Sequence, residues 1–154
     1  MKKEELLQGI QAGKYDEMLV KLYGQEALTA QKQRYSQAVE KFATLYPERE
    51  DMEVFSAPGR TEVCGNHTDH QHGKVLAAAI NLDAVAVVGF HEEGAIRLHS
   101  EGYPAITVEL SDLTINEAEH GTTKALIRGM AAQFADKGVK IGGFELMPAA
   151  AKSQ

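Results

Sequence analysis

Residues 57–73 read APGRTEVCGNHTDHQHG. Between two segments whose patterns predict strands, this stretch places guanidinium, carboxylate, carboxamide and imidazole groups among glycines. A purely structural loop needs the glycines but does not need that density of hydrogen-bonding side chains. Every hydroxyl of a sugar both donates and accepts a hydrogen bond, so such a cluster suits a small polyhydroxylated ligand. We therefore expect the stretch to form a binding loop for such a ligand.

Arg60 and Asp69 each allow two interpretations from the residues alone. The guanidinium of Arg60 follows Pro58-Gly59 and suits negative charge on a phosphoryl group or a carboxylate, but it is equally suited to tying the loop to backbone carbonyls. The carboxylate of Asp69 offers lone pairs for two sugar hydroxyls, but it is equally suited to closing a turn ahead of Gly73. Both alternatives stay open at this point.

The same stretch contains the donor types of a transition-metal site in His67, Asp69, His70 and His72. No cysteine pair or distant histidine set completes a known zinc arrangement, so we predict no metal site. The single cysteine, Cys64, is interpreted as a small core side chain rather than a nucleophile.

Apolar residues recur at helical spacing through the first fifty residues, and Pro47 ends the longest of these helices. From Glu53 onward the period becomes that of strands. The apolar run at 75–80 indicates a strand buried on both faces, and 81–83 is interpreted as a turn. Strands are predicted at 54–57, 75–80, 84–90, 96–100, 105–110 and 143–147, and one further helix at 122–137.

These elements predict an α+β fold with a mixed, largely antiparallel sheet and helices on one side, preceded by an α-helical extension. Short connections favour antiparallel hairpins. In the helix at 122–137, Leu126, Met130 and Phe134 fall at steps of four and form an apolar stripe, which Ile127 widens. We divide the chain into an extension over residues 1–50 and a domain over 51–154 that contains the binding loop.

Composition excludes several classes of partner. A formal net charge of -6 argues against nucleic acid and against an anionic membrane surface, since both need a basic face. One cysteine gives no disulfide framework and fits a reducing compartment. No apolar run follows the charged N-terminus, and no window is long enough for a membrane span. We expect a cytoplasmic protein that binds neither nucleic acid nor membrane.

The loop also resembles a known signature. Galactokinases have a segment of the form G-R-V-N-L-I-G-E-H-T-D-Y, and this chain has Gly59-Arg60, Gly65 and His67-Thr68-Asp69 in the same register. Residues 73–80, GKVLAAAI, are similar to the family's next strand, G-x-V-L-x-x-A-I. The chain thus resembles galactokinases, within the superfamily of small-molecule kinases that also phosphorylate homoserine, mevalonate and phosphomevalonate. The similarity extends over roughly residues 50–147.

The resemblance implies roles for individual residues. Arg60 would be catalytic and substrate-binding, stabilising charge on the transferred phosphoryl group and the ionised sugar hydroxyl. Asn66, His67 and Asp69 would bind galactose or a related sugar through its hydroxyls. Asn66 stands where the family has glutamate and His70 where it has tyrosine, so the pattern of hydroxyl contacts differs from that of the family. The implied fold is that of the superfamily's N-terminal domain, which is ribosomal protein S5 domain 2-like.

The resemblance further implies ATP and Mg²⁺ as cofactors of the full-length family member. Phosphoryl transfer needs a phosphate cradle, which the family builds from a Gly- and Ser-rich loop at a helix N-terminus. Residues 145–154 read ELMPAAAKSQ and contain no such loop, so no cofactor-binding residue is assigned. We therefore expect an incomplete, N-terminal part of a sugar kinase, inactive alone, whose uncovered sheet face promotes self-association.

Two other hypotheses compete with that of a galactokinase-type enzyme making galactose 1-phosphate. The second hypothesis is a non-catalytic sugar-binding module or sensor, which the missing phosphate loop favours. A third hypothesis is a structural domain whose polar loop is vestigial.

Overall fold

The computed structural model describes residues 1–65 and 72–150. Helices fill the first part of this range and strands most of the rest. In chain order the elements are α1 (Lys3–Gln11), α2 (Asp16–Tyr23), α3 (Leu28–Leu45), β1 (Glu53–Cys64), β2 (Leu76–His91), β3 (Ala95–Leu98), β4 (Ile106–Glu109), α4 (Thr123–Asp136) and β5 (Gly143–Ala150).

The strands form one five-stranded sheet in the order β1-β2-β5-β3-β4. Neighbouring strands pair antiparallel except β3 and β5, which run parallel. The parallel pair arises because β5 returns after α4 and enters the sheet between β2 and β3. The predicted α+β class with a mixed, largely antiparallel sheet is confirmed.

The helices α1 to α3 cover one face of the sheet. On α3, Val39 and Phe42 are fully buried, and they belong to the same core as Val85, Val87 and Met147 from β2 and β5. These three sheet residues lie at alternate or facing positions, so they share a face. The apolar stripe predicted from the spacing in α3 is therefore what attaches the helical extension to the sheet.

The helix α4 lies on the opposite face. Its Ile127 and Ala131 pack in a second core with Ile96, Val108 and Phe144, which face each other in the register of β4, β3 and β5. The helix within the predicted domain thus lies on one side of the sheet, and the predicted helical extension covers the other side. Of the predicted stripe of α4, Ile127 reaches this core, whereas Leu126, Met130 and Phe134 are exposed.

The strand β2 is longer and more exposed than predicted. Residues 81–83, interpreted as a turn, continue one strand from Leu76 to His91. The Asp83 side chain, which would close such a turn, is instead bonded to distant residues of other elements. The first half of β2 is exposed rather than buried on both faces, so its apolar alanines do not mark a core strand.

Glu145, on β5, is a buried carboxylate with 1% of its surface exposed. Arg49 donates two hydrogen bonds to it, at 2.8 and 2.9 Å, and Arg97 donates a third at 2.9 Å. Burial alone would raise the pKa of Glu145, but these hydrogen bonds outweigh burial and hold the pKa below its usual value. The ion pairs join the segment after α3 to the centre of the sheet.

The contact between α3 and β2 leads to a prediction for Gly89. A β-carbon added there would lie 2.9 Å from Cζ of Phe42, which is fully buried. We expect Gly89→Ala to lower the free energy of unfolding by about 1–3 kcal/mol, because the buried ring must move. The matched control is Gly129→Ala on α4, where an added β-carbon meets nothing within 4 Å. The control should gain up to about 1 kcal/mol in helix propensity. Urea denaturation measures both, and equal stability of Gly89→Ala and the wild type would refute this packing.

The Glu145 ion pairs lead to a prediction for acid stability. A carboxyl whose pKa is lower in the folded than in the unfolded chain stabilises the fold above the unfolded value, about 4.3. That stabilisation is lost as the pH falls through the folded pKa. We expect Glu145→Gln to lower the free energy of unfolding at pH 7 by about 3 kcal/mol, since two arginines lose their partner. Its further loss in acid should be smaller than that of the wild type. Denaturation curves between pH 7 and pH 3 test this, and parallel declines in both proteins would contradict it.

Candidate sugar-binding ribbon

The two strands that flank the binding loop extend beyond the rest of the sheet. Residues 60–64 of β1 pair with 76–79 of β2, whereas β5 pairs with β2 only from Ala84 to His91. Among the described residues, this distal part of β1 and β2 therefore has no third strand beside it. We call residues 60–64 and 76–79 the ribbon. Most of its residues are exposed, and it leads directly into the loop.

The register of β1 and β2 changes at the base of the ribbon. Pro58 pairs with Asp83, but Arg60 pairs with Ala79, so three residues of β2 lie opposite Gly59 alone. A β-carbon on Gly59 would lie 3.0 Å from the carbonyl oxygen of Leu82. Glycine fits this close approach of two backbones, and an irregularity of this kind bends a pair of strands.

Arg60 lies at the start of the ribbon with 74% of its side chain exposed. Its guanidinium donates a hydrogen bond of 2.8 Å to Glu62, two residues along the same strand face. An exposed ion pair of this kind contributes little to stability, so the guanidinium is available to an incoming anion at small cost. Its described hydrogen bond is thus to a side chain rather than to a backbone carbonyl, and its role in ligand binding stays a prediction.

The other predicted sugar-binding residues, Asn66, His67 and Asp69, lie outside the described residues, as does His70. Their convergence with Arg60 stays a prediction. Most of the residues considered above as metal ligands, the loop's histidines and Asp69, also lie outside the described residues. The interpretation of Cys64 as a core side chain is wrong, because this cysteine is exposed at the end of β1.

Sequence reasoning missed a polar network at the base of the ribbon. The Asp83 carboxylate, 3% exposed, accepts hydrogen bonds from the hydroxyls of Tyr23 and Ser56 at 2.6 and 2.5 Å. Arg34 of α3 forms a 2.6 Å ion pair with the same carboxylate and donates a second hydrogen bond to the backbone oxygen of Asp83 at 3.0 Å. We call these four residues the Asp83 network.

Electrostatics in the Asp83 network favour the ionised carboxylate. Burial raises the pKa of Asp83, but the hydrogen bonds from Ser56, Tyr23 and Arg34 outweigh it, and the net pKa lies below the usual value. Burial and the bond to Asp83 raise the pKa of the Tyr23 phenol. Tyr23 therefore stays a hydroxyl donor at neutral pH. The only signal in the sequence was a lone aspartate inside an apolar strand, which was interpreted as part of a turn.

A cavity of about 350 Å³ lies beside the Asp83 network, between α2 and the base of the ribbon. Its walls are mostly apolar, and Arg60 does not line it. Because the predicted sugar-binding residues belong to the ribbon and its loop, the ribbon and its loop remain the candidate site. No helix in the described part of the chain is both long and apolar enough to cross a bilayer.

Comparisons with known proteins support this assignment. Residues 40–90 match the family model described as the galactokinase galactose-binding signature. A galactokinase of Lactococcus lactis subsp. lactis is 32% identical over 114 residues, which are 73% of this chain and 29% of that protein. The chain thus spans less than a third of the length of the galactokinases that it matches.

Two solved structures share the fold. The crystal structure of Lactococcus lactis galactokinase complexed with galactose matches with a TM-score of 0.63 and 28% identity, over 75% of this chain and 30% of that one. Methanococcus jannaschii mevalonate kinase matches with a TM-score of 0.50 and 16% identity, over 68% of this chain and 35% of that one, which shows the fold alone. Sequence, signature and fold agree: the chain belongs to the galactokinase superfamily and contains a galactokinase-like galactose-binding region.

Proposed function

We propose that this chain supplies the sugar site of a galactokinase-type kinase, which transfers a phosphoryl group from ATP to galactose. The observation that carries the proposal is the galactose-binding signature on an exposed two-stranded ribbon that begins with Arg60. In this proposal Arg60 stabilises negative charge on the phosphoryl group and on the attacking sugar oxygen. His67 and Asp69 bind sugar hydroxyls. Asn66, an amide that donates as well as accepts, replaces an acceptor-only carboxylate and alters the preferred hydroxyl pattern.

ATP with Mg²⁺ would supply the transferable phosphoryl group and neutralise its charge. The described residues do not fit the phosphates well. At the N-terminus of α4 the Thr122 hydroxyl already accepts from the amide of Ala125, and Glu119 lies beside it, paired with Arg128 and Lys124. The hydroxyl and the amide that could hold a phosphate at this helix N-terminus are therefore already bonded to each other. We therefore propose that this chain alone does not turn over ATP, and we assign it no cofactor-binding residue.

Galactose binding by this chain gives the direct test. We expect titration calorimetry to show saturable heat with galactose, and Arg60→Ala and Asp69→Ala to weaken binding by about tenfold or more, since each removes a charged hydrogen-bonding group. Lys140→Ala, which removes an exposed cation away from the ribbon, is the control and should bind like the wild type. No saturable heat with the wild type would reject the sugar-binding proposal and favour a structural domain with a vestigial loop.

A non-catalytic sugar-binding module or sensor is the second candidate, favoured by the N-terminus of α4, where the Thr122 hydroxyl and the Ala125 amide are already bonded to each other. Galactose-dependent ADP formation by a longer polypeptide that includes this chain would reject it. Sugar binding without turnover by that longer polypeptide would support it. One cysteine and an acidic composition fit the reducing cytoplasm, where we propose that the protein works.

We also propose that this chain associates with itself through the sheet face that contains α4. Leu126, Met130 and Phe134 of α4 are 64%, 51% and 55% exposed, and Phe90 of β2 is 58% exposed. Phe90 pairs with Phe144, which packs under α4, so these side chains form one apolar face. The same apolar face on a second copy of the chain would cover it. Because the contact is between apolar side chains, it does not bring like charges together, although each chain has a formal net charge of -6.

Sedimentation velocity tests this association. The wild type should form dimers at micromolar concentration, and Met130→Glu should shift it to monomer, because a charge in an apolar interface loses its hydration. Lys137→Gln changes the net charge by the same amount on the same helix and should leave the dimer intact. A wild type that stays monomeric at every concentration would contradict the proposal.

A further inference from the structure

We propose that Asp83 is a positioning residue for the sugar site: its network fixes the direction in which the ribbon leaves the sheet. This inference rests on the proposed sugar-binding function of the loop, but it concerns residues that the loop signature does not assign. No described hydrogen bond joins Asp83 to Arg60. It acts through the backbone at the base of the ribbon.

The ribbon needs an external constraint. Isolated pairs of strands are marginally stable in water, and this pair has no third strand in the described part of the chain. Its side chains are largely exposed, so packing contributes little to its orientation. The direction of the ribbon is therefore set where it joins the rest of the sheet.

Asp83 lies at that junction. It pairs with Pro58, the last regular pair before the register changes opposite Gly59, and the next regular pair contains Arg60. A local irregularity bends a strand pair, and the bend depends on how the residues beside it are held. A small rotation of β2 at Asp83 consequently displaces Arg60 and the loop beyond it.

The Asp83 network holds this position from three other elements. Tyr23 comes from α2, Arg34 from α3 and Ser56 from β1, and all three bond the same buried carboxylate at 2.5 to 2.6 Å. Arg34 also binds the backbone oxygen of Asp83, which anchors the main chain of β2 itself. The helical extension is thus connected to the base of the ribbon by charge-assisted hydrogen bonds, which have stricter geometry than apolar contacts.

The experiment compares two pairs of variants. Asp83→Asn removes the charge of the network, and Glu145→Gln removes the other buried carboxylate on the same sheet face, away from the ribbon. Tyr23→Phe removes one hydroxyl from the network and is the milder change. Its control is Tyr46→Phe, which removes a hydroxyl from a partly buried tyrosine that packs on the same core at the end of α3.

Two measurements are made on each variant, both under conditions in which it is folded by circular dichroism. Amide hydrogen exchange of residues 60–64 and 76–79 measures how readily the ribbon opens. Titration calorimetry with galactose measures the affinity of the sugar site. We expect Asp83→Asn to raise exchange in the ribbon and to weaken galactose binding by about tenfold or more, as displacement of a binding group does. Tyr23→Phe should do the same to a smaller extent. Glu145→Gln and Tyr46→Phe should lose stability without either effect.

The outcomes separate this inference from the proposed function. Ribbon exchange that is the same in Asp83→Asn as in Glu145→Gln would overturn the positioning role, whatever the sugar data show. Ribbon exchange raised only in the network variants, with weakened galactose binding, supports it. If the wild type binds no galactose, the proposed function fails, and the exchange measurement alone then decides whether Asp83 controls the ribbon.

Discussion

A buried carboxylate imposes a strict constraint, because it is tolerated only where its hydrogen bonds and its charge are satisfied. Two such carboxylates, Asp83 and Glu145, lie on the face of the sheet that α1 to α3 cover. Each is paired with arginine from the segment of helices that precedes the strands. The apolar core between α3 and the sheet would tolerate small shifts of the helix, whereas these ion pairs would not. Together they fix where the extension lies relative to β2 and β5.

Much of this fold follows from local patterns in the sequence. The helices α1 to α3 and the strands β3 to β5 fall close to the predicted positions because their apolar residues repeat at the periods of helix and strand. The errors occur where tertiary contacts decide. In α4 the spacing indicates a stripe of Leu126, Met130 and Phe134 that Ile127 widens, yet only the side with Ile127, together with Ala131, packs in the second core. The sequence alone does not show which side of a broad apolar stripe is buried, because that depends on where the sheet lies.

The contrast between local patterns and tertiary contacts also explains which residues at the candidate site are predicted and which are missed. Arg60 is predicted as a site residue from its neighbours in the sequence, Gly59 and the loop signature. The structure places it exposed on the ribbon. Asp83 was missed because its partners Tyr23 and Arg34 lie 60 and 49 residues away. Its neighbours gave a turn-like pattern, and only the fold shows that its side chain bonds to other elements instead of to its own backbone.

The residues that match the galactose-binding signature, 40–90, form one connected part of this structure. They span the C-terminal end of α3, all of β1 and β2 as far as Phe90, so they contain the ribbon, its irregular base and the sheet edge from which it projects. A loop that binds a small polar ligand needs side chains held to within a fraction of an ångström, and a two-stranded ribbon cannot supply that precision alone. The constraint must come from the elements behind it. Here those elements are α2 and α3, which reach Asp83, at the base of the ribbon, through Tyr23 and Arg34. In the positioning role that we propose for Asp83, the helical extension is part of the structure that holds the base of the ribbon.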